Sequence, residues 1–299
     1  MSMAARFTVK NAVRVWAAHP DLQWPFRSVD QFAGLLPFHS PAKIERIRLD
    51  NCAAELVQAA KTTPARAILY LHGGAFLTCG LNTHRSMVTR LSRAADACVL
   101  NVDYRMLPSH RISDAIDDAL SGLRWLGRRG YGAEQIVVAG DSAGGYLAVM
   151  MTLAAIRARL AKPAGIATVS PFTDTDPTAK LGHRNAHRCS MFPCAAFSVF
   201  ARCLNQAQII SPVDAADLAS LPPVTIHASA DELLLADAET MAERLDIAGV
   251  RCDLHVWDGQ IHDFPLAADV LPEGRRAIRY IGDFVKQVTD PDESDATAA

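Results

Sequence analysis

The chain has 299 residues, half of them hydrophobic and 21% charged, an ordinary globular composition with room for one large domain or two small ones. Its 30 Lys and Arg oppose 32 Asp and Glu for a formal charge of −2, and the basic residues are scattered, which excludes nucleic acid as an expected partner. The 7 cysteines are odd in number and irregularly spaced, so neither a zinc knuckle nor a disulfide framework is expected, and a reducing cytoplasm suits them.

The N-terminal stretch MSMAARFTVKNAVRVWAAHP has no uninterrupted apolar core and does not read as a secretory signal. Val9, Val13 and Trp16 instead suggest an amphipathic helix. Strand-like runs then follow in order at Glu45–Asp50, Ala54–Ala60, Arg66–His72, Ala97–Tyr104, Gln135–Gly140, Gly165–Ser170, Val224–Ser229 and Cys252–Trp257. Cys52, Cys98 and Cys252 read as buried thiols of these runs. The first two runs leave no room for a helix between them and are expected to form an antiparallel edge hairpin. From the third run onward, helical periodicity fills the gaps. Met87, Leu91 and Ala94 share a face behind an N-cap at Thr83, and Ile112, Ala115, Ile116, Ala119, Leu120 and Leu123 share another. The apolar stretch Tyr146–Ile156 is too short to cross a bilayer and reads as a buried helix, so no transmembrane segment is expected.

This alternation predicts an α/β fold with a mostly parallel sheet covered on both faces. Two segments fall outside it, residues 1–40 and 181–210, and both carry aromatics the sheet does not need. They are either a cap over the C-terminal edge of the sheet or extra core helices. The acidic tail, 290–299, is expected to be disordered.

Three stretches carry chemistry. The run Arg66–His72 ends in His72-Gly73-Gly74-Ala75-Phe76, a loop whose glycines suit a close backbone approach to a phosphate, an oxyanion or nothing at all. Gly140-Asp141-Ser142-Ala143-Gly144 matches G-x-S-x-G, a pattern that composition alone produces in about one chain in ten. Here an apolar strand runs straight into it and an apolar helix straight out, so Ser142 sits on a sharp turn at a helix N-terminus. A phosphate-binding turn is the rival reading, but the P-loop lysine is missing. A serine nucleophile needs a base, and the base needs an acid to hold its tautomer. Asp231 follows one strand and His262 the next, giving the order Ser, Asp, His expected of α/β-hydrolases. Glu232 and Asp237 are rival acids, with Asp237 read as a helix cap. His72, His227 and His255 read as structural.

With His72–Phe76, Asp103–Arg105, Gly140–Gly145, Ser170–Asp174, Ala230–Asp237 and Ile261–Phe264 assembled, residues 40–288 resemble the hormone-sensitive lipase-like branch of the α/β-hydrolases, bacterial esterases included. The resemblance implies an eight-stranded α/β-hydrolase fold. The catalytic domain would be formed by 41–180 and 211–289, and a cap by 1–40 and 181–210. It implies Ser142, Asp231 and His262 as nucleophile, acid and base, and the N–H groups of Gly73, Gly74 and Ala143 as oxyanion donors. His72, Gly140, Asp141 and Gly144 are then motif residues. Phe76, Phe192, Phe197 and Phe200 are candidate walls of an apolar pocket. The reaction implied is cofactor-free hydrolysis of small esters with short to medium acyl chains. An amidase or deacetylase acting on a small natural product, or an inactive ligand-binding relative, is the alternative. A homo-oligomer is left open. Activity should rise as His262 loses its proton, near about 6.5.

Three positions depart from the family pattern. Ala75 replaces the third glycine of HGGG, Pro108-Ser109 stands where Pro-Glu is usual, and Asp263 follows the base where a small or apolar residue is usual. An acid at 263 would raise the His262 pKa if it faced inward and do nothing if it faced solvent.

Overall fold

The apolar strands pair as their patterns demand. A computed structural model describes residues 28–35, 41–62, 64–193 and 209–290. The eight strands are β1 (Ala42–Arg48), β2 (Ala53–Ala59), β3 (Arg66–Leu71), β4 (Ala97–Asp103), β5 (Ile136–Asp141), β6 (Gly165–Val169), β7 (Val224–Ser229) and β8 (Cys252–Trp257). They form one sheet in the order β1-β2-β4-β3-β5-β6-β7-β8. β1 and β2 make the expected antiparallel hairpin, β2 is antiparallel to β4, and all later pairs are parallel. Cys52 lies in the hairpin turn, not in a strand, and it and Cys252 are half-buried; only Cys98 of the three is buried.

Side chains of β3 show how the two faces are filled. Ala67, Leu69 and Leu71 face one layer and Ile68 and Tyr70 the other, the period of two that a strand imposes. The first layer holds α3 (Ile112–Arg128), α4 (Ala143–Arg157) and α6 (Leu235–Ile247), through residues such as Leu123, Leu147 and Met241. The second holds α2 (Leu81–Ala95) and α7 (Pro272–Thr289), through Leu91, Ile281 and Val285. The helical stretch read as buried is α4, whose residues from Ala143 to Leu153 are all buried. Two short helices, α1 (Ser28–Ala33) and α5 (Thr178–Gly182), lie in or beside the segments outside the alternation. The suggested helix around Val9, Val13 and Trp16, the aromatics Phe197 and Phe200, and tail residues 291–299 lie outside the described residues.

Helix α2 starts two residues before the expected cap. Thr83 is inside it, and its hydroxyl accepts the Gly80 N–H at 2.9 Å. The carboxylate that caps the helix comes from α1: Asp30 accepts the Thr83 N–H at 2.8 Å and the Asn82 side-chain amide at 2.8 Å. A cap borrowed from 53 residues earlier in the chain leaves no local signature at the helix start.

Helices α2 and α7 meet at Gly282, where a Cβ would lie 2.6 Å from the Ala94 carbonyl carbon. Gly282→Ala must separate the two helices, and is expected to lower stability by about 1–3 kcal/mol in urea denaturation.

Candidate active site

Ser142 occupies the turn between β5 and α4 with φ 51° and ψ −117°. This is a strained conformation for a residue with a side chain, costing about 1–3 kcal/mol. The turn is fixed on both sides. The Ser142 N–H donates to Val169 O at 2.9 Å, and Ser142 O accepts the Phe172 N–H at 3.0 Å. At Gly144 the helix starts so close to β3 that a Cβ would lie 1.9 Å from Leu71 O, which is why only glycine serves there.

His262, on the loop after β8, brings Nε2 to 3.1 Å from Ser142 Oγ. Its Nδ1 lies 2.5 Å from Glu232 Oε2. The acid expected at Asp231 is therefore corrected by one residue. Asp231 is half-buried in the turn after β7, and its N–H is spent on Ser229 Oγ at 3.1 Å. Glu232 is 1% exposed, and its Oε1 accepts both the Ser229 N–H at 2.6 Å and the Ser170 hydroxyl at 2.8 Å. Turn geometry decides which of two neighbouring acids points inward, and the longer glutamate reaches the ring. The rival Asp237 is not a cap either. It lies buried in the first turn of α6, pairs with fully buried Lys180 at 2.8 Å, and accepts the N–H groups of Thr173 and Asp174.

The glycine loop faces Ser142 across the end of the sheet. Gly74 has φ +115°, and its carbonyl closes a turn by accepting the N–H groups of Leu77 and Thr78, both at 3.0 Å. The N–H groups of Gly73, Gly74 and Ala143 have no acceptor among the described residues. Three unspent donors beside a serine at a helix N-terminus can receive an anionic oxygen. Ala75 and Phe76 continue the loop with φ 56° and 60°, so the residue replacing the third glycine takes a left-handed backbone at a cost.

Beneath this loop lies a buried network that the motifs did not reveal. Asp141, 1% exposed, accepts the Tyr70 hydroxyl at 2.6 Å and His84 Nε2–H at 3.1 Å. Burial opposes the charged form of each partner, but their contact outweighs it: the Asp141 pKa is lowered and that of His84 raised. His84 is one residue past the expected cap on α2, and only the packing of α2 against β5 shows its purpose. His72 stacks on Tyr104 at 4.3 Å, donates from Nδ1 to Gly73 O at 2.7 Å, and is pushed down to about 4 by burial. It is a neutral, structural histidine. His227 is likewise buried, receives the Trp257 indole N–H at 3.1 Å, and is pushed down to about 3 by burial, with His255 adding to the effect.

Among the proposed pocket walls, Phe192 reaches the site: its ring meets His262 edge to face at 4.9 Å. Phe76 does not form an open wall. It is 1% exposed and packs edge-on against Tyr146 at 5.4 Å. Asp263 faces inward, with Oδ2 3.0 Å from His262 Nε2. No group of residues suited to hold a metal ion occurs among the described residues.

Residues 68–266 match the family model described as alpha/beta hydrolase fold. Esterase LipU of Mycobacterium tuberculosis is 40% identical over 94% of this chain and 99% of its own. Carboxylesterase/phospholipase LipF of the same organism is 39% identical over 96% of this chain and 81% of its own. Among solved structures, EstE5 soaked with ethyl alcohol superimposes with a TM-score of 0.83 at 33% identity, covering 95% of this chain and 98% of that one. An esterase from the bacterial hormone-sensitive lipase family gives 0.82 at 30% identity, covering 97% and 100%.

Removing one partner of the buried Asp141–His84 pair strands the other, a loss of about 3–5 kcal/mol. The lowered Asp141 pKa means stabilisation present above the unfolded value of 3.8 and lost as pH falls through the folded one; the raised His84 pKa means stabilisation present below 6.5 and lost as pH rises through the folded value. Asp141→Asn should therefore cost most in urea denaturation near pH 5–6 (about 3–5 kcal/mol) and less once pH has risen through the raised His84 value.

Proposed function

Because this chain belongs to the α/β-hydrolase fold family, on its hormone-sensitive lipase branch, we propose that it is a serine ester hydrolase in which Ser142, His262 and Glu232 act in line. The observation that carries the reading is that line itself: Oγ to Nε2 at 3.1 Å and Nδ1 to Oε2 at 2.5 Å, beside three unspent N–H donors.

The chemistry follows from the geometry. His262 Nε2 accepts the Ser142 proton as Oγ attacks the ester carbonyl. Glu232, fixed by Ser170 and Ser229, holds the Nδ1–H tautomer and stabilises the imidazolium. Negative charge grows on the carbonyl oxygen, and the N–H groups of Gly73, Gly74 and Ala143 meet it, each donor worth about 3–4 kcal/mol of barrier. Collapse breaks the bond to the alcohol, which leaves with the proton from Nε2. Water then repeats the attack on the acyl-enzyme and restores Ser142. Every proton in this cycle is carried by His262.

Residues 1–40 and 181–210 are read as a cap over this site, supported by Phe192 on His262 and by the Tyr146 hydroxyl donating to Ile210 O at 3.1 Å. An apolar cap beside the nucleophile suits short to medium acyl chains. The thiols of Cys52, Cys79, Cys98 and Cys252 suit a cytoplasmic setting, and no described helix is long and apolar enough to cross a membrane.

A fluorophosphonate should label Ser142 alone, and Ser142→Ala should abolish turnover of a nitrophenyl ester; an adduct mapped elsewhere would refute the assignment. Glu232→Gln should lower kcat by about 10⁴-fold, whereas Asp231→Asn should stay within a few-fold of wild type. The reverse ranking would restore Asp231 as the acid. Rates on an acyl series should peak at or below medium chain length, and a maximum on long, insoluble esters would overturn the cap reading.

A further inference from the structure

His262 has three polar neighbours where the reaction calls for two. Glu232 takes Nδ1, but Nε2 is contacted by both Ser142 Oγ at 3.1 Å and Asp263 Oδ2 at 3.0 Å. A neutral imidazole that gives its Nδ1–H to Glu232 presents only a lone pair at Nε2. A lone pair and an ionised carboxylate oxygen 3.0 Å apart repel, whereas an imidazolium or a protonated carboxyl at that distance is attracted, so the contact favours a proton on the pair. Held on Nε2, that proton occupies the position that must accept the proton of Ser142.

The inward pose of Asp263 is built into the loop. Its backbone is left-handed, φ 51° and ψ 37°, and its N–H donates to Ser170 Oγ at 3.2 Å. The same Ser170 hydroxyl donates to Glu232, so one serine sets both acids around the ring. Asp263 is 8% exposed, and its second oxygen, Oδ1, has no hydrogen-bond partner among the described residues. The titratable groups facing the pair are Glu232 from the turn after β7, Asp141 from β5, Cys79 from the loop before α2, and Tyr70 of β3 and His84 of α2, both of which are bound to Asp141. From the segment after α5 comes only the apolar edge of Phe192. Among the described residues no Lys or Arg pairs with Asp263.

Building on the ester-hydrolase reading, we propose that Asp263 is a positioning residue that keeps a proton on His262 Nε2 in the resting site, so that Ser142 gains its base only after that proton departs to solvent. Hydrolysis is thereby set to alkaline pH. The electrostatics run the same way. Burial disfavours the imidazolium, but Asp263 and then Glu232 outweigh it and hold the His262 pKa well above 6.5. Burial also raises the Asp263 carboxyl, against the pull of His262. A pair with both values raised keeps its extra proton as pH climbs past the ordinary imidazole range. The inactive protonated form therefore persists at neutral pH, and activity appears as pH rises through the raised value. This displaces the inflection near 6.5 that an isolated histidine would give.

The test follows the rate of fluorophosphonate inactivation and kcat/KM on a soluble nitrophenyl ester from pH 5 to 10. Wild type is compared with Asp263→Asn and Asp263→Gly, both of which accept the left-handed backbone. In wild type the inflection should lie at least one unit above 6.5. In both variants it should fall by one unit or more, raising the rate at pH 7 about tenfold relative to each variant's own alkaline plateau. A purely structural role would lower the plateau without moving the inflection, and that result overturns the proposal. So does a wild-type inflection at the ordinary imidazole value, a readout that needs no variant to fold. Absence of Ser142 labelling at every pH would instead remove the ester-hydrolase reading, whereas normal labelling with an inflection near 6.5 removes only the role of Asp263.

Discussion

One buried carboxylate underlies the site. Asp141 precedes the strained serine, receives Tyr70 from β3 and His84 from α2, and sits so close under the glycine loop that a Cβ on Gly73 would lie 2.2 Å from its Oδ2. A carboxylate in such a place is tolerable only while its partners hold. The ends of β3 and β5, the start of α2 and the glycine loop are thus obliged to keep one arrangement. The left-handed serine is held as a by-product of that obligation, because the turn cannot relax without disturbing a charge that has nowhere else to go.

Much of this was legible in the amino-acid order. Parallel strands buried on both faces, such as β3 and β5, announce themselves as continuous apolar runs, and all eight strands of the sheet are found within a few residues of their expected bounds. That Ser142 and His262 could meet was legible because each sits where a strand stops and a turn must begin, and the two lie 3.1 Å apart. What the chain order cannot convey is the direction of a side chain within a turn. Asp231 and Glu232 are chemically equivalent candidates on paper, and a single residue of rotation decides between them. Asp263 was ambiguous for the same reason, since inward and outward poses share one sequence. Partners that meet only through packing, such as Asp30 with Thr83, His84 with Asp141 and Lys180 with Asp237, carry no spacing rule at all.

The imidazole of His262 is surrounded by two acids of different character. Glu232 has both oxygens committed, one to the ring and one to Ser170 and the Ser229 amide, and so serves as a fixed counter-charge. Asp263 has one oxygen on the ring and one without a partner, and so is much less stabilised as an anion. The two carboxylates on one ring are thus held differently, and burial raises the Asp263 carboxyl against the pull of His262.

The cap that Asp30 lends to α2 has a bearing on how such a chain can change. Position 30 belongs to the leading segment, yet it is hydrogen-bonded to Asn82 and Thr83, at the head of the helix that presents His84 to Asp141. Exchange of leading segments between relatives is then not a free modular swap. A graft that brings a different residue to position 30 uncaps a helix whose fourth residue, His84, steadies the charge beneath Ser142. Recombination would have to carry residues 30, 82 and 83 together, a three-point inheritance unit spread over more than fifty positions.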